Sequence, residues 1–196
     1  DQPDIDYSNI SIIQKYKNET RNTVRKFKNH PGVLGWGIGN ENNLHYKKNV
    51  SDWYYLANEI AKEAYNEEGS AWKPAILVNA YMLYFADSDY RSDDISLNYV
   101  DLWGHNSYPG YSYNLYFNYY YNLSEKPLII TDYGIDAYNL SSGLEYESVQ
   151  AEWDLNQWRE IKNNSLGGSL MEYSDEWWKS DFPLSHDNGG YYTDVH

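Results

Sequence analysis

Five short apolar runs, at 33–39, 74–78, 100–104, 127–131 and 168–171, constrain this chain more than any other feature. Each is continuous rather than alternating, as in strands buried on both faces of a parallel sheet. Helical patterns separate them. Ile12, Ile13, Tyr16, Val24 and Phe27 recur at roughly helical spacing until Pro31-Gly32 stops the run. Ser51, as N-cap, opens a second amphipathic pattern, with Trp53, Leu56, Ala57, Ile60, Ala61 and Ala64 ahead of Gly69. Ala151, Leu155, Trp158 and Ile161 mark a third. The Tyr-rich stretch 108–121 reads as a loop carrying a short helix, 87–94 as an acidic loop, and the tail after Trp178 as loop. Alternating strands and helices of this kind predict an α/β fold. With 196 residues and no internal repeat or linker, a single domain over 1–196 is expected.

Four of the five runs end in polar residues. Ile38-Gly39 leads into Asn40-Glu41, and Trp103-Gly104 into His105-Asn106-Ser107-Tyr108. Ile130-Thr131 leads into Asp132-Tyr133-Gly134, and Leu170-Met171 into Glu172-Tyr173-Ser174-Asp175. Parallel α/β folds build their sites at the carboxyl ends of strands. A lone carboxylate at such a place is ordinarily an N-cap or a surface charge. Several in succession point instead to a shared site. Paired carboxylates suit work on a glycosidic bond, where one stays protonated to donate to the leaving oxygen and the other stays ionised.

Composition narrows the partners. The net charge is −14, from 29 acidic and 15 basic residues, which disfavours nucleic acid and anionic membranes. No apolar run approaches the ~20 residues needed to span a bilayer, so membrane insertion is not expected. The chain has no cysteine, which excludes disulfides, thiolate zinc sites and cysteine nucleophiles. The 23 Tyr and 8 Trp suit either a polar-edged core or the flat faces of sugars. Six Asn-x-Ser/Thr triplets, beginning at Asn9, Asn18, Asn49, Asn122, Asn139 and Asn163, are candidate glycan acceptors and lean towards an extracellular or cell-surface protein.

Other motifs fail on spacing. Gly35-x-Gly37-x-Gly39 has Asn40 where a dinucleotide fingerprint needs its third glycine. The aspartates at 87, 89, 93 and 94 do not follow the EF-hand pattern, and the five histidines form no metal-binding cluster. No G-x-S-x-G elbow is present. Neither a metal nor an organic cofactor is expected.

The stretch from His30 to Glu41, H-P-G-V-L-G-W-G-I-G-N-E, resembles the fourth-strand signature of the clan A glycoside hydrolases, with family 2 nearest. Lys126 to Gly134, K-P-L-I-I-T-D-Y-G, resembles their seventh-strand segment. Val100 to Tyr108 is similar to the sixth strand, and Gly167 to Lys179 to the eighth. The resemblance covers nearly the whole chain from about residue 12. It implies a (β/α)₈ TIM barrel of which this chain holds the C-terminal five strands. A preceding segment or a neighbouring subunit would then complete the barrel. It also implies a retaining glycosidase acting on an oligo- or polysaccharide. Glu41 would be the acid/base and Asp132 would stand at the nucleophile position. Asn40 would hold the 2-hydroxyl and Tyr108 would sit near the nucleophile. Asn106, Glu172, Trp177 and Trp178 complete the expected substrate-binding set. The family carries Glu where this chain has Asp132, and one methylene fewer withdraws the carboxylate by roughly 1.5 Å. The alternative reading is therefore an inactive glycosidase-like barrel serving as a carbohydrate-binding or structural surface glycoprotein.

Overall fold

The computed structural model describes residues 5–44, 49–139 and 142–173. In chain order the principal elements are α1 (Ile10–Phe27), β1 (Trp36–Asn40), α2 (Val50–Glu68), β2 (Ala75–Ala80) and β3 (Leu102–Asn106). They continue with α3 (Asn114–Tyr121), β4 (Leu128–Tyr133), β5 (Tyr138–Asn139), β6 (Leu144–Glu145), α4 (Glu147–Asn164) and β7 (Gly168–Leu170). Each of the five apolar runs overlaps one strand of a single sheet, ordered β1-β2-β3-β4-β7. The pairings β1–β2, β2–β3 and β4–β7 are parallel. The α/β class and the five-strand parallel sheet expected from the sequence are thus present. The antiparallel β5–β6 pair is an addition that two-residue strands gave no periodicity to reveal.

The chain divides into two compact units. The first holds the described residues to Asn106 together with Tyr120–Ile129. Its core is built from α2, β2 and β3. Tyr54, Leu56, Leu77, Leu97 and Trp103 have essentially no exposed surface. Each fully buried leucine contributes about 1.5–3 kcal/mol by leaving water. Every residue of β3 is buried, which is why that strand reads as a continuous run. The α1 helix buries only Val24 fully and is joined to α2 by Lys17–Glu59, Arg21–Glu63 and Arg25–Glu67 pairs at 2.8, 3.1 and 2.9 Å. Near the surface water and salt screen such pairs, so they contribute little to stability.

The N-cap of α2 is Asn49, one of the candidate glycan acceptors, and not Ser51 as expected. The Asn49 side chain accepts the Ser51 N–H at 3.1 Å, so Ser51 lies inside the first turn. Asn caps at least as well as Ser, and the sequence pattern alone did not separate the two.

The second unit holds Ser107–Tyr119 and the described residues from Ile130 onward. In it β4 pairs with β7, and α4 packs against that pair. Tyr133 stacks on Trp158 with ring centroids 6.5 Å apart, and Ile161 of α4 is fully buried.

Candidate active site

The end of β1 is shaped by a bulge. Gly37 pairs with Ile76 and Asn40 with Val78, so three steps along β1 match two along β2. Bulges of this sort re-aim side chains and are frequent beside active sites. Gly39 lies inside it at φ +70°, where a Cβ would stand 2.5 Å from the Trp53 ring. Only glycine fits there. Glu41 follows at φ +54°, an uncommon conformation for a side-chain-bearing residue. Its N–H donates to the Val78 carbonyl at 3.1 Å, which fixes the backbone in that strained state.

Three expected site residues meet in this unit. The Asn106 side-chain amide, at the end of β3, donates to Glu41 Oε1 at 2.9 Å and to Asn40 Oδ1 at 3.1 Å. Asn106 is buried, Glu41 is half-buried and Asn40 is exposed. One amide therefore holds the carboxylate and its neighbour in register. Two residues missed by sequence reasoning support them. Asn42 Oδ1 accepts the Asn40 N–H at 3.0 Å, and Asn42 Nδ2 donates to the Tyr7 hydroxyl at 3.0 Å. Fully buried Asn43 accepts the Ala80 N–H at 3.0 Å and donates to the carbonyls of Ala80 and Leu83 at 3.0 and 3.1 Å. The asparagine-rich run Asn40–Asn43 was the available signal, because buried side-chain amides settle loops by satisfying backbone groups.

Strand β2 also carries a polar residue next to its end, buried Asn79, whose amide donates to the Tyr54 hydroxyl at 2.8 Å. Burial raises the Tyr54 pKa, so the hydroxyl stays protonated. His105, one residue before Asn106, is fully buried beside Phe85, Trp103 and Tyr120. Burial pushes its pKa down to about 3, so it is neutral.

In the second unit Asp132 lies at the end of β4. Here too the register shifts. Ile130 pairs with Gly168 and Tyr133 with Leu170, three steps against two. Both candidate catalytic carboxylates thus sit within or just after a strand irregularity. The Asp132 carbonyl accepts the Ser107 N–H at 2.9 Å, tying the loop that carries Tyr108 to the strand end. Tyr113 donates its hydroxyl to the Ser107 carbonyl, and burial raises its pKa. Glu172 follows β7 and is exposed. Trp177 and Trp178 lie outside the described residues.

Of the six candidate glycan acceptors, Asn9, Asn18, Asn49, Asn122 and Asn163 are exposed and Asn139 is half-buried. Among the described residues no helix is long and apolar enough to cross a membrane.

Comparison with solved structures shows the same fold in several glycosidases. A Bifidobacterium dentium β-glucuronidase, complexed with coumarin-3-O-glucuronide, superposes with a TM-score of 0.61 at 21% identity, covering 86% of this chain and 29% of its own. A Bacteroides uniformis β-glucuronidase gives 0.62 at 17% identity, covering 83% of this chain and 21% of its own. A fungal β-1,4-galactanase gives 0.60 at 16% identity, covering 84% and 58%. This chain therefore spans under two thirds of the length of each. No curated protein sequence matches it. Residues 4–177 match the glycosyl hydrolases family 2 TIM barrel domain. With nearly its whole length so matched, the chain belongs to the glycosyl hydrolase family 2 TIM barrel domains.

Proposed function

We propose that this chain is the catalytic part of a retaining glycosidase acting on β-linked sugars, with Glu41 as acid/base and Asp132 as nucleophile. The observation that carries the reading is the Asn106 amide on Glu41 Oε1. A donor on Oε1 leaves Oε2 to carry the proton, which is the arrangement a general acid needs. Glu41 gives that proton to the glycosidic oxygen as the bond to the anomeric carbon breaks. The Asp132 carboxylate attacks the same carbon and forms a glycosyl ester. Glu41, now ionised, takes a proton from water, whose oxygen displaces Asp132 and releases the sugar. With its Oδ1 engaged by Asn106, Asn40 has its amide nitrogen left to donate to a sugar hydroxyl. Tyr108, Glu172, Trp177 and Trp178 are the further substrate contacts of this reading. The relatives described as β-glucuronidases and β-1,4-galactanases supply the class of linkage.

The sequons extend the reading to an exported protein carrying N-glycans, since five of the six acceptors are exposed. The second reading, an inactive sugar-binding barrel, is favoured by the shorter Asp132. Hydrolysis of a panel of aryl β-glycosides by wild type and Glu41→Gln separates the two. The enzyme reading expects turnover on at least one member and a loss of at least about 100-fold in the variant. Rates at background in both proteins, with or without sugar binding, support the second.

A further inference from the structure

The α4 helix carries two polar side chains, Gln150 and Asp154, spaced so that they lie one turn apart on one face. Both go to a single residue, Ile135. Gln150 Nε2 donates to the Ile135 carbonyl at 2.9 Å. The Asp154 carboxylate faces the Ile135 backbone N–H, which partly offsets the effect of burial on it. Ile135 stands three positions after Asp132, outside any strand or helix. Its carbonyl, which a strand would have paired, is bonded by this helix, and its N–H faces the same helix.

The other side of this segment is held as firmly. The Tyr133 carbonyl accepts the Met171 N–H at 2.8 Å. Gly134 has φ +143°, and a Cβ there would stand 2.7 Å from the Met171 carbonyl oxygen and 3.6 Å from Asp154 Oδ1. Residues 133–135 are therefore gripped between the end of β7 and α4, with no room for a side chain at the middle position. The grip is costly. Asp154 is half-buried, its Oδ1 is buried without a hydrogen-bond partner among the described residues, and burial pushes its carboxyl pKa up to about 6. An apolar residue on that helix face would avoid the cost.

We propose that Gln150 and Asp154 are positioning residues that clamp Ile135 and so fix the course of the chain leaving Asp132. The inference rests on the reading of Asp132 as nucleophile for its catalytic consequence, but not for the clamp itself. The consequence matters here because Asp132 has a shorter reach than Glu, and a misplacement near 1 Å costs on the order of 100-fold in rate.

The test uses the full chain with Asp154→Ala, Gln150→Ala and Asp154→Asn, each read by amide hydrogen exchange over 132–136 and by kcat and KM on an aryl β-glycoside. The alanine variants are expected to speed exchange of that segment by about tenfold or more. They are also expected to lower kcat by about tenfold to hundredfold with KM within about twofold. Asp154→Asn keeps the size of the side chain and a polar oxygen facing the Ile135 N–H, so it is expected to hold both readouts near wild type. Unchanged exchange in both alanine variants overturns the clamp. So does an Asp154→Asn protein that behaves like Asp154→Ala. Accelerated exchange with an intact kcat overturns the positioning role while leaving the glycosidase reading in place. If wild type turns over no glycoside, that reading fails by itself and the exchange data alone decide the clamp. Should Asp154→Ala fail to fold, Gln150→Ala carries the same comparison.

Discussion

Asn106 Nδ2 sits 2.9 Å from Glu41 Oε1 and 3.1 Å from Asn40 Oδ1, so both amide hydrogens of one buried side chain are spent on the Asn-Glu pair. Removing that amide leaves the half-buried carboxylate without its orienting donor. Asn106→Ala is expected to lower kcat/KM by about tenfold to hundredfold with the fold retained. Steady-state kinetics alongside circular dichroism checks this. An unchanged kcat/KM contradicts it.

Gly39→Ala meets two penalties together. The residue holds φ +70°, and the added methyl would press on the Trp53 ring at 2.5 Å. Trp53 is itself buried in α2. The expected loss is about 2–4 kcal/mol, combining left-handed strain with overpacking. Urea unfolding followed by tryptophan fluorescence measures it, and a change under about 0.5 kcal/mol contradicts the crowding.

Asp154 predicts a pH dependence of stability with an unusual sign. Its folded pKa of about 6 lies above its ordinary value of 3.8. Between those values the folded protein holds more protons than the unfolded one. Stability contributed by this group therefore falls as pH rises from about 4 to about 6. Asp154→Asn removes that part of the slope. Denaturation midpoints at pH 4, 5, 6 and 7 for both proteins check it, and parallel profiles contradict it.

His105 predicts the opposite slope. Its pKa is lowered from 6.5 to about 3, so the unfolded chain binds a proton there that the folded protein refuses. Stability falls as pH drops from about 6.5 towards 3. The imidazole is expected to stay neutral at pH 5 in an NMR titration. An inflection near 6.5 contradicts its burial.

Much of this was legible in the primary structure, for physical reasons. The five apolar runs became strands because burial on both faces leaves a continuous pattern, and the polar residues noted after them, as far as residue 173, lie at or just beyond the ends of β1, β3, β4 and β7. Edges were less legible. Strand β1 starts at Trp36, three residues later than its apolar run, and β2 continues through Asn79 and Ala80. Asn79 looks like a loop residue until Tyr54 supplies its hydrogen-bond partner. Asn42, Asn43, Gln150 and Asp154 escaped notice because each works on at least one group distant in the chain, the Tyr7 hydroxyl for Asn42 and backbone for the other three. Propensity and periodicity carry no record of such partners.

In the proposed mechanism Asp132 carries the covalent step. Incubating the full chain with 2-deoxy-2-fluoro β-glycosides that bear a good leaving group, followed by peptide mapping, tests it most directly. The fluorine slows both steps and the leaving group speeds only the first, so a glycosyl ester accumulates. One added sugar is expected, carried on Asp132 and lost in Asp132→Asn. A label on Glu172, or turnover of the parent glycosides with no trapped ester under conditions that inactivate retaining enzymes, contradicts it.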